Sequence, residues 1–261
     1  MKYTVLIITL VCSQFVQAAN SEFANYLALS KEFEDLLGKG KSIGQLPRVN
    51  DKKVSAIVKK LSKSQKSITA RKYTEDDLFG LLDVCEKANK FGMAYLMDQV
   101  GPGFRQSGLF QKSKVNVAKR MAENSVKYQD ELKVFYPFLI DCSAIQLTLI
   151  EPFWKSLPVD QRTQIRINGI KQMQRGILQV YVGVLASLGD SSFKASFKDS
   201  LLASALYAAP VMAAALSLDK RNEILRRIGQ LKKTAPRRYI KAFDSIYQDF
   251  SSKKCNEICQ L

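Results

Sequence analysis

Three glycines, Gly169, Gly176 and Gly183, recur every seven residues inside a stretch from Ser156 to Gly189 whose apolar side chains fall at Ile170, Met173, Ile177, Val180, Tyr181, Val184 and Leu188. Spacings of three and four predict an α-helix, with Pro158 just inside its start and Gly189 at its end. A seven-residue recurrence on a helix brings the three glycines to nearly one face. Each interior glycine costs about 1 kcal/mol relative to alanine. A stripe of three therefore implies an offsetting use: close approach of a second helix, or room for a ligand.

The second helix is at hand. Leu201 to Leu218 reads LLASALYAAPVMAAALSL, without a charge and rich in small residues. The turn Gly189-Asp190-Ser191-Ser192 joins it to the striped segment, and the expectation is a central Gly/Ala-rich helical hairpin buried in the protein. Its length touches the lower edge of the roughly 17 to 25 residues that span a bilayer. Alanine is only mildly apolar, however, and Ser204, Ser217 and Pro210 interrupt the run. Where the glycines leave space, Gly169, Met173, Gly176, Ile177, Tyr181, Gly183 and Val184 are the candidate lining of a site for a fatty acid or similar small hydrophobic ligand.

The remaining segments are helical too. Ser21 to Leu37 is amphipathic with Gly38 placed as a stop, and Asn50 can cap a helix whose inward stripe is Val54, Ile57, Val58 and Leu61. Thr74 and Asp77 have the spacing of a capping box, so the acids at 75 to 77 have a structural use in a first turn. Leu132 to Trp154 is strongly apolar; Pro137, Asp141 and Gln146 favour a buried helix kinked or restarted near Pro137 over a membrane span. Asp219 and Pro236 open two further helices. No alternating strand pattern of useful length occurs. The expected fold is all-α: a multi-helix bundle of about eight or nine helices, disulfide-stapled. Residues 19 to 261 form one all-helical domain, with a candidate hinge between two lobes at Gly101 to Gly108 and a helix starting near Gln111.

Lys2, the apolar run Tyr3 to Cys12 and the small residues around Ala18 have the three parts of a secretory signal peptide, residues 1 to 18. The mature chain is then secreted and extracellular. Cleavage removes Cys12 and leaves Cys85, Cys142, Cys255 and Cys259, an even set that reads as two disulfides. Cys255 and Cys259 are too close for an easy bridge if both sit on one helical turn. The expectation is that each pairs with one of Cys85 and Cys142, stapling the tail to the core.

The chain contains no histidine. That removes Ser-His-Asp and Cys-His devices, zinc sites of the HExxH type and most general-base chemistry near neutral pH. Asp141 and Glu151 remain as carboxylate candidates, but a ten-residue separation on one helix places them about 15 Å apart along the axis. Phosphate-binding loops, dinucleotide fingerprints and calcium loops are missing as well. The reading is a non-catalytic binding protein without cofactor or metal.

Forty Lys and Arg residues against 24 acids give a net charge of +16. The charge concentrates between Arg48 and Lys72 and between Lys220 and Lys241. Lys52, Lys53, Lys59, Lys60 and Lys63, with Arg226, Arg227, Lys232, Lys233, Arg237 and Arg238, are the candidate polyanion-binding residues. Anionic membrane surfaces or acidic glycans are the partner classes; base-stacking aromatics and groove-binding motifs for sequence-specific nucleic-acid recognition are lacking. A cationic membrane- or polyanion-binding defence or effector protein is the alternative to a ligand carrier.

Overall fold

A computed structural model describes residues 21–100 and 117–261. The signal peptide at 1 to 18, the hinge at Gly101 to Gly108 and the helix start near Gln111 lie outside those residues. Among the described residues there are ten α-helices and no strand: α1 (Ser21–Ser42), α2 (Lys52–Thr69), α3 (Leu78–Leu96), α4 (Val117–Lys127), α5 (Gln129–Ser156), α6 (Gln164–Gly189), α7 (Ala195–Ala215), α8 (Leu218–Thr234), α9 (Arg237–Ser252) and α10 (Glu257–Gln260).

The longest helix, α5, is apolar on nearly every side, and such a helix is stable in water only when others enclose it. Length and composition would let it cross a bilayer, yet two thirds of its most apolar window (67 %) is buried against the protein itself. It packs chiefly on α3 and α7, with α2 and α6 completing the wrapping. Phe33 of α1, Phe91 of α3 and Phe135 of α5 meet with ring centroids 4.9 to 5.2 Å apart, joining three helices at one point. Pro137 does not restart the helix: α5 continues through both Pro137 and Pro152.

Local signals set the ends. Thr74 and Asp77 form the expected capping box, the Thr74 N–H donating to Asp77 Oδ2 at 3.0 Å. The first helix runs past Gly38 and stops before Gly44, whose φ of +72° is the left-handed conformation that glycine adopts at least cost. Asp51 rather than Asn50 is the N-cap of α2. In the same loop Arg48 Nε and the Val49 N–H both donate to Glu131 Oε1, at 2.9 and 3.0 Å. They compensate a carboxylate whose side chain is fully buried in the first turn of α5.

The cysteine pairing differs from the sequence expectation. Cys85 on α3 bonds to Cys142 on α5, and Cys255 bonds to Cys259 within the tail. The objection to a local bridge assumed both tail cysteines on one helical turn. Cys255 instead precedes α10, in extended backbone between Lys253 and Asn256, and its Cα lies 5.7 Å from that of Cys259. The Cys85–Cys142 bridge spans 57 residues of sequence and contributes about 4 kcal/mol in the chain-entropy model. Polar contacts and one apolar plug hold the tail in place of a staple. Buried Gln174 donates its amide to the carbonyls of Ala215 and Ile258 at 2.7 and 3.1 Å, and Ile258 is itself fully buried.

The helix α7 sits in the core, with Leu201, Ala205, Ala208, Ala209, Met212 and Ala213 covered and α5, α6 and α9 around it. Tyr181 of α6 donates its hydroxyl to the Ala205 carbonyl at 3.0 Å.

Candidate functional site

The close approach expected of the glycine stripe is made elsewhere. A methyl group built on Gly169, Gly176 or Gly183 would meet no atom within 4 Å, so this face of α6 is turned away from α7. Other glycines admit near neighbours: a Cβ on Gly92 of α3 would stand 2.7 Å from Tyr136, one on Gly80 of α3 2.8 Å from Phe23, one on Gly40 of α1 2.6 Å from the Gln45 carbonyl oxygen, and one on Gly189 at the end of α6 2.5 Å from Leu231. Substituting Gly92 therefore displaces an aromatic ring of α5, whereas Gly169, Gly176 and Gly183 have open space in front of them.

That space is a groove. With a volume of about 810 Å³ it lies within the roughly 300–1,000 Å³ of small-molecule sites. From α3 come Leu82, Cys85, Glu86, Asn89, Met93 and Leu96; α4 gives Met121, Ala122 and Ser125. Tyr136, Leu139, Ser143 and Gln146 of α5 form the floor. The α6 wall carries Met173, Gly176, Ile177, Val180, Gly183 and Val184. Of the seven residues singled out from the sequence, Met173, Gly176, Ile177, Gly183 and Val184 are brought together here. Gly169 lies one turn outside, and Tyr181 points into the core, where its ring lies 5.8 Å from that of Phe250.

The α3 and α4 contributions were not legible as a site. Their only local signal is a second, weaker apolar edge on α3 at Leu82, Met93 and Leu96, beside its main buried stripe. Three methionines, Met93, Met121 and Met173, ring the groove. Their flexible, polarisable side chains suit a surface that must fit ligands of different shape.

The basic residues are divided between two regions. On α2 the side chains of Lys52, Lys53, Lys59, Lys60 and Lys63, joined by Lys66, are exposed and make no ion pair among the described residues. At 100° per residue they occupy an arc of about 140° opposite the buried stripe, along a helix of about 27 Å. The second group is partly neutralised. Arg227 pairs with Glu223, Lys232 with Asp244 and Arg238 with Asp199, leaving Arg226, Lys233 and Arg237 exposed without an ion pair among the described residues. The helices α2 and α8 do not pack on each other, so the two groups are not one patch.

Asp141 lies in a smaller cavity of about 340 Å³, with Lys66, Lys133 and Ser200 also in its lining. One of its carboxylate oxygens has no hydrogen-bond partner. Burial pushes its pKa up to about 6, with Ser204 pulling the other way. Glu151 is engaged by Lys155 at 2.8 Å, so the two carboxylates do not share a site. No cluster of three or more metal-ligating side chains occurs among the described residues.

The class defined by fold and site is an all-helical protein with one large apolar groove and a separate lysine face. Comparisons with protein-family models, with curated proteins and with solved structures return no match to this chain.

The position of Asp141 has a consequence for stability. Its carboxyl binds a proton more tightly in the folded chain than in the unfolded one, so between about pH 4 and pH 6 the native state holds more protons and stability falls as pH rises. Asp141→Asn should raise stability at pH 7.5 by on the order of 1 kcal/mol, after allowance for solvent screening, and leave it unchanged near pH 3.5. Chemical denaturation at the two pH values reads this directly; an equal change at both contradicts the assignment.

Proposed function

We propose that the protein is a non-catalytic carrier that binds a small hydrophobic ligand in the groove between α3, α4, α5 and α6. The observation that carries this reading is the α6 wall. Two glycines face open space beside Met173, Ile177 and Val184, so side chains that would fill the groove are missing where the helix has no other need to lack them. Burial of apolar surface supplies the affinity, at about 25 cal/mol per Å² before the costs of association.

The open positions also provide the test. A Cβ at Gly176 or Gly183 meets no atom within 4 Å, and replacing glycine with leucine gains helix propensity, up to about 1 kcal/mol per site. Gly176→Leu/Gly183→Leu should therefore melt no lower than the wild type while losing at least tenfold in affinity for the neutral dye Nile red, followed by fluorescence titration. Undiminished binding in the filled variant, or no saturable binding by the wild type, contradicts the carrier reading.

A second reading rests on a separate observation, the unpaired lysine face of α2. On this reading the face attracts an anionic membrane surface, at about 1 kcal/mol per basic residue near it. Co-sedimentation with phosphatidylserine-containing vesicles should fall steeply with added salt and be lost in Lys59→Glu/Lys60→Glu/Lys63→Glu. Equal binding to pure phosphatidylcholine vesicles rules the reading out.

A further inference from the structure

We infer that the groove selects a neutral, hydroxyl-bearing amphiphile and disfavours the carboxylate of a fatty acid. The inference rests on the carrier reading and narrows it.

Forty of the 261 residues are Lys or Arg, yet none lines the groove among the described residues. Among the described residues the one charged side chain in its lining is an acid: Glu86, exposed at the edge and held by Lys90 at 2.8 Å. A carboxylate entering this site would surrender its hydration without a cation to replace it, and an unpaired buried charge is among the most costly arrangements in a protein. The floor offers a neutral alternative. Ser143 and Gln146 stand three residues apart on the same side of α5, and both line the groove although their residues are only 5 % and 4 % exposed. The Gln146 amide nitrogen is occupied by a 3.5 Å contact to the Leu81 carbonyl. Its Oε1, like the Ser143 hydroxyl, makes no hydrogen bond to any described residue. Together they present one acceptor and one group that both donates and accepts, which is the complement of an alcohol: its O–H donates to Gln146 Oε1 and its oxygen accepts from Ser143. Both residues open onto the groove, so a ligand hydroxyl would take up the hydrogen bonds that these groups otherwise make to water. The apolar α6 wall and the methionines then take the hydrocarbon part.

The test compares two ligands of equal chain length, 1-dodecanol and dodecanoate, displacing Nile red from the full mature chain at pH 8. Dodecanol should bind at least tenfold more tightly than dodecanoate, and the gap should close towards pH 4, where a carboxyl with an ordinary pKa of about 4 to 5 becomes neutral. Ser143→Ala/Gln146→Leu should lower dodecanol affinity several-fold relative to that of Nile red, with helical circular dichroism and the melting temperature serving as controls for folding. The comparison on the wild type needs no variant. Equal or tighter binding of dodecanoate at pH 8 overturns the inference while leaving the carrier reading intact. Failure of Nile red and both ligands to bind removes both.

Discussion

The architecture depends on the need to keep water from α5. A helix of 28 residues with apolar side chains on nearly all sides cannot present a wet face, so the other helices are arranged around it. One flank is closed by α1, α2 and α3 and fixed by the Phe33, Phe91 and Phe135 cluster; the other is closed by the small-residue helix α7. The enclosure is incomplete in one direction. The helices α3 and α6 both reach α5 but pack little on each other, and the gap between them is the groove. The same constraint that makes the core therefore leaves the cavity, and the Cys85–Cys142 bridge at its edge holds α3 and α5 at a set separation.

Charge and cavity are kept apart. The lysines lie on α2 and around α8 and α9, on surfaces whose opposite faces are buried, whereas the groove is lined by one acid and no base among the described residues. A protein of net charge +16 that placed its cations at random would be expected to put several at the rim of a groove of this size. The segregation lets a surface attraction to polyanions and an apolar binding site operate independently, which is why the two proposed activities have separable tests.

Much of the fold was legible because helical periodicity is a local signal. The all-α class, the Thr74–Asp77 capping box and the inward stripe of α2 all follow from residues within a few positions of one another. What failed required knowledge of which helices meet. The regular glycine spacing on α6 suggested tight packing, yet Gly80 and Gly92, without any regular spacing, are the ones that admit an aromatic ring from a neighbour. The cysteine pairing differs for a similar reason: the sequence does not say that α9 ends at Ser252 and leaves Cys255 in the extended link before α10, which carries Cys259. Part of one wall of the groove was visible as Met173, Gly176, Ile177, Gly183 and Val184. Most of the rest, including Met93 and Met121, comes from helices far away in the chain and became a site only through the fold.

The central claim is that the space facing the α6 glycines receives a ligand, and the methionines report on it one by one. With the methionine methyl groups labelled with carbon-13 and assigned, a methyl NMR titration with 1-dodecanol should shift the resonances of Met93, Met121 and Met173 along one saturable curve. Met212, fully buried within α7 and outside the groove, should stay in place. Resonances at 93, 121 and 173 that do not move at saturating ligand, or a shift confined to Met212, would contradict the account.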